Sequence, residues 1–214
     1  MLWGLNRSAE PAAEPVTVQE AKNQARVEHS EEEALWTAWI IAARQHAEDV
    51  THRALINQTW VLSLENFPWF PGQMPAQGFR QYSVLPLPRP KLSSVTSLKY
   101  LDTAGVDTTL AGSAYIVDTT NEPGIIVPAY GTVWPVARWQ PASVRVTYVA
   151  GYGALATAVP EKIKFAIRWL VGWWNEHREL QDTVPAAFEM LLRPFKDTYA
   201  WDEAFGGPLT KNVW

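Results

Sequence analysis

Arg53-Ala54-Leu55-Ile56-Asn57-Gln58-Thr59-Trp60-Val61-Leu62-Ser63-Leu64 is where the chain changes its rule. Before it, apolar residues recur at helical spacing; from Asn57 onward they alternate, with Trp60, Leu62 and Leu64 on one face of Gln58–Leu64. A period of two places neighbouring side chains on opposite sides of a strand, whereas a period of 3.6 gathers them on one stripe of a helix. A helix therefore gives way to a half-buried strand within a few residues. More strand patterns follow to about residue 150, and helical spacing returns after Pro160. Helices, then a run of strands, then helices is an α+β pattern rather than the alternation of a parallel α/β sheet.

Upstream of the junction, Thr17-Val18-Gln19-Glu20 has the form of a capping box, and a short helix over about residues 18–27 follows from it. Ser30-Glu31-Glu32-Glu33 repeats the form, with Ser30 as cap, Glu33 closing the box and three carboxylates at the positive end of a helix dipole. An acidic metal site is the minor alternative for the same residues. Leu35, Ala38, Trp39, Ala42 and Ala47 then fall near helical spacing, which makes residues 31–51 a long amphipathic helix with small residues along one side. Residues 1–15 carry Pro and Ala without periodicity and read as an extended arm.

Downstream, residues 67–90 are crowded with Pro, Gly and aromatics and read as a long loop. Residues 94–101 and 106–110 flank a Thr103-Ala104-Gly105 turn and form a hairpin. Residues 115–118, 124–127 and 143–150 read as further strands, the last broken by Gly151-Tyr152-Gly153, which is too little to indicate phosphate binding. Pro160 suits the first turn of a helix reaching about His177, with Ile163, Ile167, Leu170, Val171 and Trp174 on its apolar face. A short helix over residues 185–193 stops before Pro194. The organisation expected is an arm over 1–15, a main domain over 16–194 and a C-terminal tail over 195–214. Within the main domain, N-terminal helices (16–56) and a C-terminal helix pair (160–194) pack as a helical body around a β-rich insertion (57–153).

The chain has 214 residues, enough to bury a hydrophobic core, and no Cys, which excludes thiol chemistry. Its net charge of −4, with Lys and Arg spread out, lacks the basic stripe that gripping phosphates requires. The apolar run from Ala38 to Ala43 is too short for a membrane span, and Met1–Glu14 has no signal-peptide core, so a soluble, unexported product is expected. Twelve Trp and seven Tyr are a heavy aromatic load, divided on this reading between core and protein–protein contacts. There is no Walker P-loop, no G-x-S-x-G elbow and no H-E-x-x-H, and His29, His46, His52 and His177 are scattered. Glu48 and His52 read as an i, i+4 surface pair, and His177 and Arg178 as complements to a helix C-terminus. Asp102, Asp107 and Asp118 suit turns better than paired-carboxylate catalysis. No enzyme, metal or cofactor is expected.

Several phrases in fixed order resemble the phage head–tail connector (adaptor) family. They are Glu14–Lys22 at the first helix, Arg53–Trp60 at the junction and Leu85-Pro86-Leu87-Pro88-Arg89-Pro90 before a strand. Ile125–Gly131 with Trp134-Pro135, and Val149–Gly153 with Val159-Pro160, complete the set, which covers residues 15–194. The excursion over 67–82 and the tail from Phe195 depart from the pattern. The resemblance implies a non-enzymatic subunit of a ring, twelve-fold to match the portal, lying between portal and stopper in the virion neck after assembly in the host cytoplasm. DNA would cross its lumen without specific binding, in keeping with the mildly acidic balance. The helices carrying Leu35, Trp39, Ala42, Ile167, Leu170 and Trp174 would form the ring body. Phe195, Tyr199, Trp201, Phe205 and Trp214 would dock on the portal, and Trp69, Phe70, Phe79 and Tyr82 would face the tail. Two other readings stand beside it: a stopper or tail-completion protein, and a β-rich module with an aromatic cleft for carbohydrate or single-stranded nucleic acid.

Overall fold

The computed structural model of the protein describes residues 2–68, 84–177 and 184–199. The architecture is α+β, with four α-helices and two antiparallel sheets among the described residues. The chain forms two compact units, one of sheets built mainly from Met1–Glu10 and Gln58–Ala150, the other of helices from Pro11–Asn57 and Gly151–Asp197.

In the helical unit, α1 (Val18–Ala25) starts at a complete capping box. The Glu20 N–H donates to Thr17 Oγ1 at 3.2 Å and the Thr17 N–H to Glu20 Oε2 at 2.7 Å. Helix α2 (Glu33–Thr51) starts differently from the sequence expectation. Its N-cap is Glu32 in a left-handed conformation, with no side-chain cap. The second box does not form because Glu33 pairs with the ammonium of buried Lys22, which also donates to the His29 carbonyl at 2.9 Å. Helices α3 (Glu161–Glu176) and α4 (Ala186–Leu192) complete the unit. All four helices contribute to one core, which includes Ala21, Trp36, Ile40, Ala47, Ile163, Ile167, Leu170 and Phe188. Burying an aliphatic or aromatic side chain contributes about 1.5–3 kcal/mol, so this shared core holds segments distant in sequence together.

The sheet unit holds a five-stranded sheet in the order β1-β2-β8-β4-β5 and a three-stranded sheet in the order β3-β7-β6. The strands are β1 (Trp3–Ala9), β2 (Gln58–Leu64), β3 (Leu85–Pro86), β4 (Leu92–Leu101), β5 (Asp107–Thr109), β6 (Tyr115–Asp118), β7 (Ile125–Pro128) and β8 (Val144–Ala150). Burial alternates strictly along β2 and β8, as their period of two requires. Register sets Trp60 opposite Tyr148, Leu62 opposite Val146 and Leu64 opposite Val144, so one face is a continuous apolar layer. The Tyr148 hydroxyl lies inside it and donates to the Pro88 carbonyl at 2.8 Å, which satisfies the phenol that burial otherwise keeps protonated.

Trp3–Ala9, where the sequence shows no periodicity, is an edge strand paired with β2. Its inward positions are Trp3, Leu5 and Arg7, opposite Leu64, Leu62 and Trp60. Arg7 hides the alternation because its guanidinium lies 5.8 Å from the centre of the Trp60 ring, a polar group used as a lid on the apolar layer. Leu85 and Leu87, inside the segment read as a loop, are fully buried.

Gly151, directly after β8, has φ +150, and a Cβ there would stand 2.5 Å from the Asn57 nitrogen. The close approach serves two backbone hydrogen bonds, Tyr152 N–H to the Leu55 carbonyl at 3.1 Å and Asn57 N–H to the Gly153 carbonyl at 3.0 Å. Only glycine fits.

Candidate interaction surfaces

Helix α2 turns a different face inward from the one its apolar spacing suggests. Trp36, Ile40, Ala43, Arg44, Ala47, Glu48 and Thr51 are buried, whereas Ala38 and Ala42 are exposed and Leu35 and Trp39 half-buried. The charged pair on the inward face is satisfied: Arg44 Nε donates to Glu14 Oε2 at 2.8 Å and Nη1 to Glu48 Oε2 at 2.9 Å, while Glu48 Oε1 accepts the Leu55 N–H at 3.0 Å. Glu48 is thus an interior residue rather than part of a surface pair.

Of the residues expected in a ring body, Ile167 and Leu170 are fully buried within the helical core and have no surface to offer another chain. Trp174 is half-buried against that core. Leu35, Trp39, Ala42 and Trp174 are the members that keep surface.

The expected docking tail begins tied back to its own unit. Phe195 packs against the helical core, its carbonyl accepts from Arg53 Nε, and the Asp197 N–H reaches the Thr51 carbonyl at 2.8 Å. Tyr199 is exposed. Trp201, Phe205 and Trp214 lie outside the described residues, as do Trp69, Phe70, Phe79 and Tyr82.

Several of the residues inspected for chemistry are engaged structurally, while Arg178 lies outside the described residues. Asp102 Oδ1 accepts the N–H groups of Ala104 and Val106, both at 2.9 Å, in an Asx turn. Asp107 pairs with Arg145 at 2.6 Å. Asp118 holds the turn after β6, accepting from the Thr120 hydroxyl and N–H, and these bonds hold its carboxyl below the usual aspartate range. His177 stacks on Trp173 with ring centres 4.8 Å apart, its Nδ1 3.0 Å from the Trp173 carbonyl oxygen. Among the described residues no group of three or more His, Asp or Glu is placed to share a metal ion. An open depression of about 300 Å³ on the helical unit is lined by Glu20, Asn23, Gln24 and Arg168. Its carboxylate, Glu20, is held below the usual glutamate range, first by the Thr17 N–H and then by the Thr17 hydroxyl and the cations Arg168 and Lys164. That depression is polar, unlike a stacking cleft for sugars or bases.

Sequence reasoning quoted Tyr130 and Trp134 in the connection between β7 and β8 but did not single out its exposed side chains as a surface. In that connection Tyr130, Val133, Val136 and Trp139 are respectively 97%, 83%, 74% and 75% exposed. Their spacing of exactly three residues is visible in the sequence, but it matches neither helix nor strand and so passes unnoticed.

The architecture defines the class first: an α+β chain of one sheet unit and one helical unit, each assembled from segments distant in sequence. The same fold occurs in solved gene transfer agent (GTA) particles. A chain in the virion of the native particle aligns with a TM-score of 0.71 and 22% identity, covering 91% of this chain and 96% of that one. Chains in the neck of the empty particle, computed with C6 symmetry, and of the native particle, computed with C12 symmetry, align with TM-scores of 0.70 and 0.66. Both are 22% identical and cover 92% of this chain and 96% of theirs. At that identity the likeness defines the fold. No protein-family model matches the chain, and no curated protein sequence does either.

Proposed function

We propose that this chain is a structural subunit of the neck of a phage-like particle, an adaptor that forms a homo-oligomeric ring under the portal and joins head to tail. The observation that carries this reading is the end-to-end agreement of fold with chains in GTA virion and neck structures, at 96% coverage of those chains. Agreement over both units is more specific than a shared sheet or helix pair would be. The symmetries of those necks, C6 and C12, support a ring, and twelve copies would match a twelve-fold portal. The ordered set of phrases from Glu14 to Pro160 supports the adaptor position independently. The net charge of −4 suits a ring whose lumen passes DNA without retaining its phosphates.

The test is the mass of the purified chain, alone and mixed with the portal protein of the same particle, by native mass spectrometry. A complex of fixed ring stoichiometry with the portal is expected. A chain that ignores the portal at every ratio refutes the adaptor role.

A further inference from the structure

The connection between β7 and β8 exposes four large apolar side chains within ten residues, yet its backbone is firmly held. Ala129 N–H donates to the Ala114 carbonyl at 3.0 Å, and the Thr132 N–H and hydroxyl donate to the Ala129 carbonyl at 3.0 and 2.7 Å. Trp134 stacks almost flat on buried Phe67, ring centres 4.9 Å apart and planes at 8°. Ala137 is buried, and the Arg138 N–H donates to the Leu101 carbonyl at 2.9 Å. Trp134 and Ala137 face inward, three residues apart, while Tyr130, Val133, Val136 and Trp139 face outward at the same interval. The apolar side chains are therefore presented by anchoring rather than exposed by loose packing, and a surface held in place loses little entropy on docking.

A second observation lies beside it. The strand leading into this connection, Ile125-Ile126-Val127, is apolar on both faces. Ile126 is fully buried, while Val127 and its cross-strand partner Ile116 point the other way, and Ile116 is exposed. A strand apolar on both faces is expected where both faces are covered. Here one is open.

We infer that this face, the outer side of β6–β7 with the Tyr130–Trp139 ridge, docks on a second copy of the same chain, the next subunit around the ring. The inference rests on the ring reading above. The four ridge residues, 74–97% exposed, form an apolar patch of the size that marks an interaction site, a substantial part of the roughly 800 Å² per partner in a standard interface. The stretch from Ala129 to Ala142 carries one charged residue, Arg138. An apolar, nearly uncharged surface of that size fits a permanent contact between copies better than a transient, electrostatically steered one. In a head-to-tail ring it would meet a different surface of the neighbour, as heterologous closure requires.

The experiment follows the particle mass of the full-length chain over a concentration series, for the natural sequence, Val133→Asp, Trp139→Asp and the milder Tyr130→Ser, with circular dichroism confirming that each is folded. The natural chain is expected to assemble as concentration rises. Each Asp variant should raise the half-assembly concentration by about a hundredfold or more, because a carboxylate would be desolvated at the contact. Variants that assemble at the concentration of the natural chain overturn the inference, and the neck reading then stands or falls on portal binding. A natural chain that remains monomeric alone at every concentration also overturns it. Variants that form rings normally but no longer join the next neck component overturn it in favour of a different protein on this face.

Discussion

Replacing Arg44 by Met should be among the most damaging single substitutions in the helical unit. Arg44 is 1% exposed and Glu48 4% exposed, so neither side chain has water to fall back on. The substitution keeps a long side chain in place but removes the donors to Glu14 and Glu48, taking the cation away from a buried carboxylate. Breaking a buried pair from one side costs about 3–5 kcal/mol, a large share of the roughly 5–15 kcal/mol that stabilises a typical domain. With a urea dependence of about 2 kcal/mol/M, the unfolding midpoint should fall by roughly 1.5–2.5 M, read by tryptophan fluorescence. The double variant Arg44→Met, Glu48→Met separates the causes. It removes the stranded charge and leaves the Leu55 N–H without its acceptor, a cost of about 1–3 kcal/mol, so it should be more stable than Arg44→Met alone. A midpoint for Arg44→Met within about 0.5 M of the natural protein, equivalent to about 1 kcal/mol, would refute this account of the triad.

Three further outcomes follow from local geometry. Thr17→Ala removes one half of the capping box and should destabilise the helical unit by about 1 kcal/mol, measurable as a smaller midpoint shift in the same urea titration. Gly151→Ala should cost about 3 kcal/mol or more, because a Cβ would press on Asn57 and Ile56 backbone atoms; a midpoint equal to that of the natural protein would show that the approach relaxes freely. Glu20 and Glu161 should titrate below the usual glutamate range in an NMR pH series, Glu20 chiefly through the Thr17 N–H and Glu161 through Lys164 and then Arg168. Since their folded-state values are depressed, the stability they lend is present above the ordinary glutamate value of 4.5 and is lost as pH falls through those lowered values.

Much of the fold was legible wherever the pattern was carried by backbone chemistry and simple alternation. The Thr17 box, the start of β2 at Gln58, the turn at Asp102 and the helix after Pro160 each stand where their residues place them. Two of the misreadings share a physical cause: a polar residue on an apolar face. Arg7 breaks the alternation of β1 because it lies over Trp60. Along α2 the inward row contains Arg44, Glu48 and Thr51, so counting apolar residues selects the row through Leu35, Ala38 and Ala42, about one residue out of phase. Ser30-Glu31-Glu32-Glu33 has the form of a cap, but Lys22, eleven residues before Glu33, draws away the carboxylate that would have closed it. These are long-range pairings, and a local pattern cannot register them.

The same reasoning explains why the candidate interface was the least legible part. Apolar spacing reports burial within one chain, and an interface side chain has the composition of a core residue with its partner supplied by another chain. Ile167, Leu170 and Tyr130 are therefore indistinguishable by composition, though the first two are sealed in the helical core and the last is almost wholly exposed. What separates them is backbone anchoring. Ile167 and Leu170 lie on a regular helix with neighbours above and below, whereas the Tyr130–Trp139 ridge stands on Trp134, Ala137 and four hydrogen bonds that hold it outward. Fixing an apolar ridge in water has a free-energy cost that isolated folding does not recover, and a permanent neighbour is the arrangement that recovers it.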